Sequence, residues 1–437
     1  MPSNLAKRFP STARQPLQET IWQHLTTSRT HTLRLFEGVN AEIFCRQADA
    51  DFSPVGWHLG HIGYTEGLWL LEKEAGYPPQ FPEYRRLFAA DGLPKAERQN
   101  LPSFATICDY LDQIRDQVWD YLQVAPLESR AWLWYWLVQH ESQHCETIIW
   151  VLQLHQQQRG DEGELTTPAL RTRGKPHPPA EPGSPPKDMI YVEGGPFLLG
   201  SEGLDALDNE QTSHRVEVPP FWIDPYPVTQ RQFQRFIDAG GYQNRQFWSA
   251  AGWRWLQDHS VCQPAHWVET DGDSLPVCGV SWYEAEAFTQ FVGKRLPTEA
   301  EWEKAACWQP KSLNAPTSTP KRTYPWGDQA PTVEECNYGG LNGGTTPVGH
   351  YPQGQSAYGC YDLLGNVWEW TDTWFHPYPD FEPYPYQGYS MAYFDHRHRV
   401  LKGGSWATHP PVLRSTFRNW YEPRIRSHFA GFRCAYG

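Results

Sequence analysis

Between Gln156 and Asp188 the chain reads QQQRGDEGELTTPALRTRGKPHPPAEPGSPPKD, a polar run rich in proline and glycine with no hydrophobic period. A run of this kind buries nothing, so it splits the chain into two parts that fold around separate cores. The length agrees, since 437 residues exceed what one ordinary core organises. Upstream, apolar residues recur at helical spacing in four segments: TIWQHLTTSRTHTLRLFEGV, WHLGHIGYTEGLWLLEKEAG, SFATICDYLDQIRDQVWDYLQ and Leu127 to about His155. Ser53 and Pro54 open the second and Gly76 ends it. Four such segments predict a four-helix bundle. The loop over 77–102 is longer than a bundle needs, which marks it as functional.

Downstream of Met189 the pattern changes to short strands punctuated by Gly, Pro and Trp. MIYVEGGPFLLGS predicts a hairpin around Gly194-Gly195. TQRQFQRFIDAG and SWYEAEAFTQFVGK predict two helices, opened by the hydroxyls of Thr229 and Ser281. The expected organisation is a helical bundle over 1–158, a linker over 159–187, and an irregular α+β domain over 188–437.

Composition narrows the function. A formal charge of −13 argues against nucleic acid and against an anionic membrane surface. There is no apolar run of membrane-spanning length, and MPSNLAKRFPSTARQPLQ lacks the apolar core of a signal peptide, so a cytoplasmic protein is expected. Nine cysteines without CxxC spacing read as reduced, mostly buried thiols. With 22 Trp and 22 Tyr, aromatic-lined pockets are expected.

The last helical segment carries His140 and His144 on the face of Leu133, Trp136, Leu137, Thr147, Ile148 and Val151. Imidazoles four residues apart converge on one point. The second segment adds His58 and His61, and a bundle site takes its ligands from facing helices. Three neutral imidazoles suit Zn, Cu or Fe equally. The competing reading keeps these histidines as core residues bonded to Glu66, Glu141 or Glu146.

SPVGWHLGHIGYTEGLWLL together with HESQHCET resembles the iron-binding helical half of the sulfoxide synthases of ergothioneine biosynthesis. Those enzymes join a DinB-like bundle to a domain similar to formylglycine-generating enzyme, of C-type-lectin-like fold. The second half is similar to that domain in MIYVEGGPFLLGS, GKRLPTEAEWE, YPWGD, GCYDLLGNVWEWTD, RVLKGGSWAT, RNW and GFRCA. The resemblance implies Fe(II) held by His61, His140 and His144, with His58 beside the ligands. It implies that Gln143 sits by the substrate imidazole. Asn419 and Trp420 would hold the trimethylammonium and carboxylate end of hercynine (histidine betaine), and Tyr378 would supply a proton. Three neutral donors leave up to three positions on octahedral Fe(II), enough for a thiolate, oxygen and the substrate imidazole. An aromatic wall at Trp420 suits a quaternary ammonium. The substrates implied are hercynine, cysteine or γ-glutamylcysteine, and O2, bound in a cleft between the domains.

Two departures leave the sulfur donor open. Leu87-Phe88 is followed by Ala89, Ala90 and Asp91 where some members have Asn-Ser-Tyr-Tyr, and Tyr421 follows Trp420 where others have an acid. Arg85 and Arg86 are candidates for a donor carboxylate, or a solvated basic pair. A related thiohistidine or selenium-histidine synthase is the alternative of the same chemistry. A copper enzyme of the formylglycine-generating type lacks its thiols here, because no cysteine lies from Ala407 to Tyr421. A non-catalytic binding module leaves the three histidines unexplained. Structural Ca2+ at YPWGD or GNVWEW is a further expectation, although tight turns account for the same residues.

Overall fold

The computed structural model describes residues 14–159, 188–268, 274–310 and 321–437. The expected linker falls almost wholly on 160–187, outside the described residues, and the described residues on its two sides form two compact units.

The first unit is helical. Its elements are α1 (Arg14–Arg34), α2 (Ala41–Cys45), α3 (Val55–Glu66), α4 (Arg85–Phe88), α5 (Phe104–Leu122) and α6 (Leu127–Arg159). The four segments read from periodicity are α1, α3, α5 and α6. Ser53 does not cap α3; Pro54 takes that position, and the Ser53 hydroxyl accepts from Arg98 Nη1 at 3.0 Å. Beyond Glu66 the helix continues as a π-helical stretch, Gly67–Glu74, and Gly76 closes it at φ +74°, a left-handed conformation that costs glycine little.

One buried ion network ties the long helices. Arg29 of α1 reaches Glu66 of α3 at 2.8 Å and Glu141 of α6 at 2.9 Å, and Arg115 of α5 reaches Glu66 at 2.7 Å. Each carboxylate is fully paired, so removing one partner would leave an uncompensated buried charge, a cost of about 3–5 kcal/mol. The network fixes the angular setting of α3 and α6, the two helices that carry the histidines. The long loop folds back on α3 through α4: Phe88 is fully buried and lies against Gly60, where a Cβ would come within 2.2 Å of its ring.

The second unit is α+β. Strands β1 (Ile190–Val192), β4 (Phe221–Ile223) and β9 (Ala435–Tyr436) form one sheet in the order β1-β4-β9, and β2 (Gly195–Leu199) pairs with β3 (His214–Val218). The third sheet has the order β7-β6-β5-β8, from β5 (Trp368–Trp374), β6 (Arg399–Lys402), β7 (Asn419–Tyr421) and β8 (Ala430–Gly431); it is antiparallel except between β5 and β8. The hairpin expected at Gly194-Gly195 is absent. β1 and β2 belong to different sheets, and the glycines make a corner where Gly194 has no room for a Cβ beside Pro220. Both expected helices are present, α7 (Gln230–Asp238) and α9 (Trp282–Phe291), each opened by a capping box. Two more, α8 (Ala250–His259) and α10 (Glu299–Cys307), had not been expected. The core gathers Phe197, Phe221, Ile223, Trp302 and Leu363 around α10.

Candidate metal centre and substrate residues

His61, His140 and His144 offer ligand atoms that all lie within 4.8 Å of one another, the one such cluster of three metal-binding side chains among the described residues. Nε2 of His140 and Nε2 of His144 are 3.2 Å apart. Neighbouring donors on one octahedral ion stand about 3 Å apart if each lies about 2.0–2.3 Å from it, so this spacing fits.

The surroundings set each ring. His61 Nδ1 donates to the Phe88 carbonyl at 2.6 Å, which leaves the lone pair on Nε2, where Thr65 Oγ1 approaches to 3.4 Å. Trp57 stacks on His61 at 4.6 Å and donates its Nε1 to Leu87 O, and Arg98 covers the Trp57 ring at 4.1 Å. Trp136 stacks on His140 at 5.2 Å. His144 Nδ1 meets His58 Nδ1 at 2.9 Å.

Burial pushes the His61 imidazolium down to about 4 and, with help from His61, that of His58 to about 3. His140 and His144 are lowered by burial and by neighbouring imidazoles. All four are therefore neutral near pH 7, the form that ligates. His61 is buried while His140 and His144 are half-buried, which keeps one side of the cluster accessible. The reading in which Glu66 and Glu141 satisfy the histidines is overturned, because both carboxylates are spent on Arg29 and Arg115.

The other expected residues stand as follows. Gln143 is half-buried on α6, its amide donating to Gln139 O at 3.3 Å. Arg85 is exposed and pairs with Glu72 at 3.1 Å, and Arg86 is exposed beside it. In the second unit Asn419 and Trp420 lie on β7. Trp420 is half-buried, stacks on Phe375 at 4.2 Å, and has Tyr393 and Tyr389 at 5.6 and 6.2 Å.

Tyr378 lies in the second unit. It is 6% exposed in the core cluster, its hydroxyl donates to Glu299 Oε1 at 3.0 Å, and the Arg418 guanidinium covers its ring at 4.1 Å. Burial raises its phenol well above the ordinary value. A hydroxyl held this way gives up its bond to Glu299 if it is to serve a substrate.

Calcium gains no support. Asp328 of YPWGD accepts from Thr323, and Glu369 of GNVWEW is held by Arg433 and Trp302. The part of the centre that sequence reasoning missed is the Phe88 carbonyl, while His58 lies beside the ligand cluster as the resemblance implied.

Family models agree with the two-unit reading: residues 24–148 match the DinB superfamily and residues 175–437 the sulfatase-modifying factor enzyme 1-like domain. The chain is 38% identical to the hercynine oxygenase of Mycolicibacterium smegmatis, over 96% of this chain and 99% of that protein. It is 39% identical to the hercynine oxygenase of Mycobacterium tuberculosis, over 94% of this chain and 97% of that one. The inactive Cα-formylglycine-generating enzyme 2 of Mus musculus is 34% identical over 56% of this chain and 85% of its own length. Only the hercynine oxygenases among these three match both units. The chain belongs to the hercynine oxygenase family, the iron-dependent sulfoxide synthases of ergothioneine biosynthesis.

Proposed function

We propose that this chain is a non-heme Fe(II)- and O2-dependent enzyme that joins hercynine to a cysteine-type thiol as a sulfoxide. The observation that carries the reading is the cluster of three neutral imidazoles, with two ring nitrogens 3.2 Å apart and a third on the facing helix. His61, His140 and His144 would hold the iron, which when bound supplies oxygen activation together with C–S bond formation and sulfur oxidation.

The chain's own groups do the rest. The Phe88 carbonyl holds the His61 tautomer, and the indoles of Trp57 and Trp136 keep two of the rings from turning. Gln143, one turn from His140, is the group to bond the hercynine imidazole, exchanging its present bond to Gln139 for one to substrate. Trp420, held flat by Phe375, offers an aromatic face to the trimethylammonium, and Asn419 beside it a polar group to the carboxylate. Arg85 serves a donor carboxylate only by leaving Glu72, whereas Arg86 is the more available cation.

The test is anaerobic reconstitution with Fe(II), then oxygen uptake with hercynine and either cysteine or γ-glutamylcysteine. Uptake that requires hercynine and one thiol, with a sulfoxide product, is expected. No uptake with either thiol in the iron-loaded protein sinks the proposal. Product analysis fixes the imidazole carbon that is substituted.

A further inference from the structure

One buried imidazole lies against the cluster without belonging to it. His58 precedes His61 by one turn of α3, is 6% exposed, and places Nδ1 2.9 Å from Nδ1 of His144. At that distance one ring nitrogen donates and the other accepts. For His144 the direction decides its chemistry. A lone pair on Nε2, the atom 3.2 Å from His140 Nε2, requires the His144 proton to sit on Nδ1. If His58 donates instead, His144 carries its proton on Nε2, and that nitrogen is closed to a metal. His61 is set by a backbone carbonyl, which cannot reverse; His144 is set by a second imidazole, which can.

We propose that His58 is a positioning residue: neutral and protonated on Nε2, it turns its Nδ1 lone pair to His144 Nδ1–H and so fixes the ring and the Nε2 lone pair of that ligand. His58 Nε2 is buried and has no hydrogen-bond partner, so the proton that this tautomer places there is a cost that ligation through His144 would have to offset. The proposal rests on His144 being a metal ligand.

The test uses the full chain. Fe(II) affinity is measured by anaerobic chelator competition for wild type, His58→Leu, His58→Asn and His144→Ala, with helix content followed by circular dichroism. Loss of an outer partner typically costs a ligand set about 10–100-fold in metal affinity, and that loss is expected for His58→Leu. His58→Asn, whose Oδ1 sits near the place of Nδ1, should recover most of it. Equal losses in the two His58 variants show a packing role only, and no loss in either shows no role; both overturn the proposal. Unchanged affinity in His144→Ala removes the ligand itself and the proposal with it, and is told apart from a failure at His58 alone. A reading that needs no variant comes from zinc-loaded wild type with 15N-labelled histidine: His58 should carry its proton on Nε2, and a proton on His58 Nδ1 overturns the assignment.

Discussion

At the scale of the residue, the iron site is a problem of three lone pairs. Replacing His140 or His144 by Ala should abolish iron retention, measured as metal content after anaerobic loading and desalting, with helix content preserved. Iron unchanged in both variants would return the histidines to the core. The pairing of His140 with His144 was legible because i, i+4 spacing on an apolar face is a side-chain pattern, whereas the choice of His61 over His58 came from the family resemblance alone. Phe88 was not legible in the same way, since its carbonyl acts and its side chain gives no hint of that. The setting of Tyr378 was hidden for a related reason: a tyrosine near a motif says nothing about whether its hydroxyl has a carboxylate partner, here Glu299. Trp420 is stacked on Phe375. Trp420→Ala should weaken hercynine binding by about 1–2 kcal/mol, the scale of a desolvated cation–aromatic contact, and leave iron content unchanged. Calorimetric titration of hercynine into iron-loaded protein checks both; equal affinity removes Trp420 from the substrate.

At the scale of the element, helices announced themselves where amphipathic period and cap agreed, as in α7 and α9. α10 carries the same capping signal, Thr298 paired with Glu301 in a capping box, on a helix of only nine residues. The false hairpin at Gly194-Gly195 arose because a glycine pair between two strands turns the chain without specifying which sheet it turns into. The packing of α4 on α3 was invisible in sequence, yet it delivers the Phe88 carbonyl. Gly60→Ala tests it. A Cβ there comes within 2.2 Å of the Phe88 ring, so the loop must move, at a cost of about 1–3 kcal/mol for an overpacked core. His61 then loses its acceptor and iron affinity falls. Gly67→Ala is the control: its Cβ meets the Ile114 side chain alone, at 2.9 Å, so it should destabilise without weakening iron binding. Equal iron loss in the two variants, at matched loss of stability, would disconnect the loop from the centre.

At the scale of the whole molecule, the break in composition over 156–188 separates two chemistries of stability. The first unit closes its charges around Glu66 and Glu141, the second around Glu303. Glu303 is fully buried, with Lys321 at 2.9 Å and Lys402 at 3.0 Å, and joins α10 to β6. Burial alone would raise its carboxyl; the two lysines outweigh that and hold it down to about 2. A depressed carboxyl contributes stability that is complete above the ordinary value near 4.5 and is lost as pH falls through about 2. The linkage is on the order of 3 kcal/mol for a shift of this size. Glu303→Gln leaves the buried ammonium of Lys402 with Glu299 at 3.9 Å as its remaining counter-charge, so destabilisation of about 3–5 kcal/mol is expected at pH 7. Urea unfolding of wild type and variant between pH 7 and pH 3 should show that gap narrowing below pH 4.5, because acid removes from the wild type what the substitution has already removed. A gap that stays constant with pH would mean the carboxylate is not what the lysines hold. Iron content at pH 7 should match wild type, since His61, His140 and His144 all belong to the first unit. Loss of iron in Glu303→Gln would show that the two cores do not hold their sites separately.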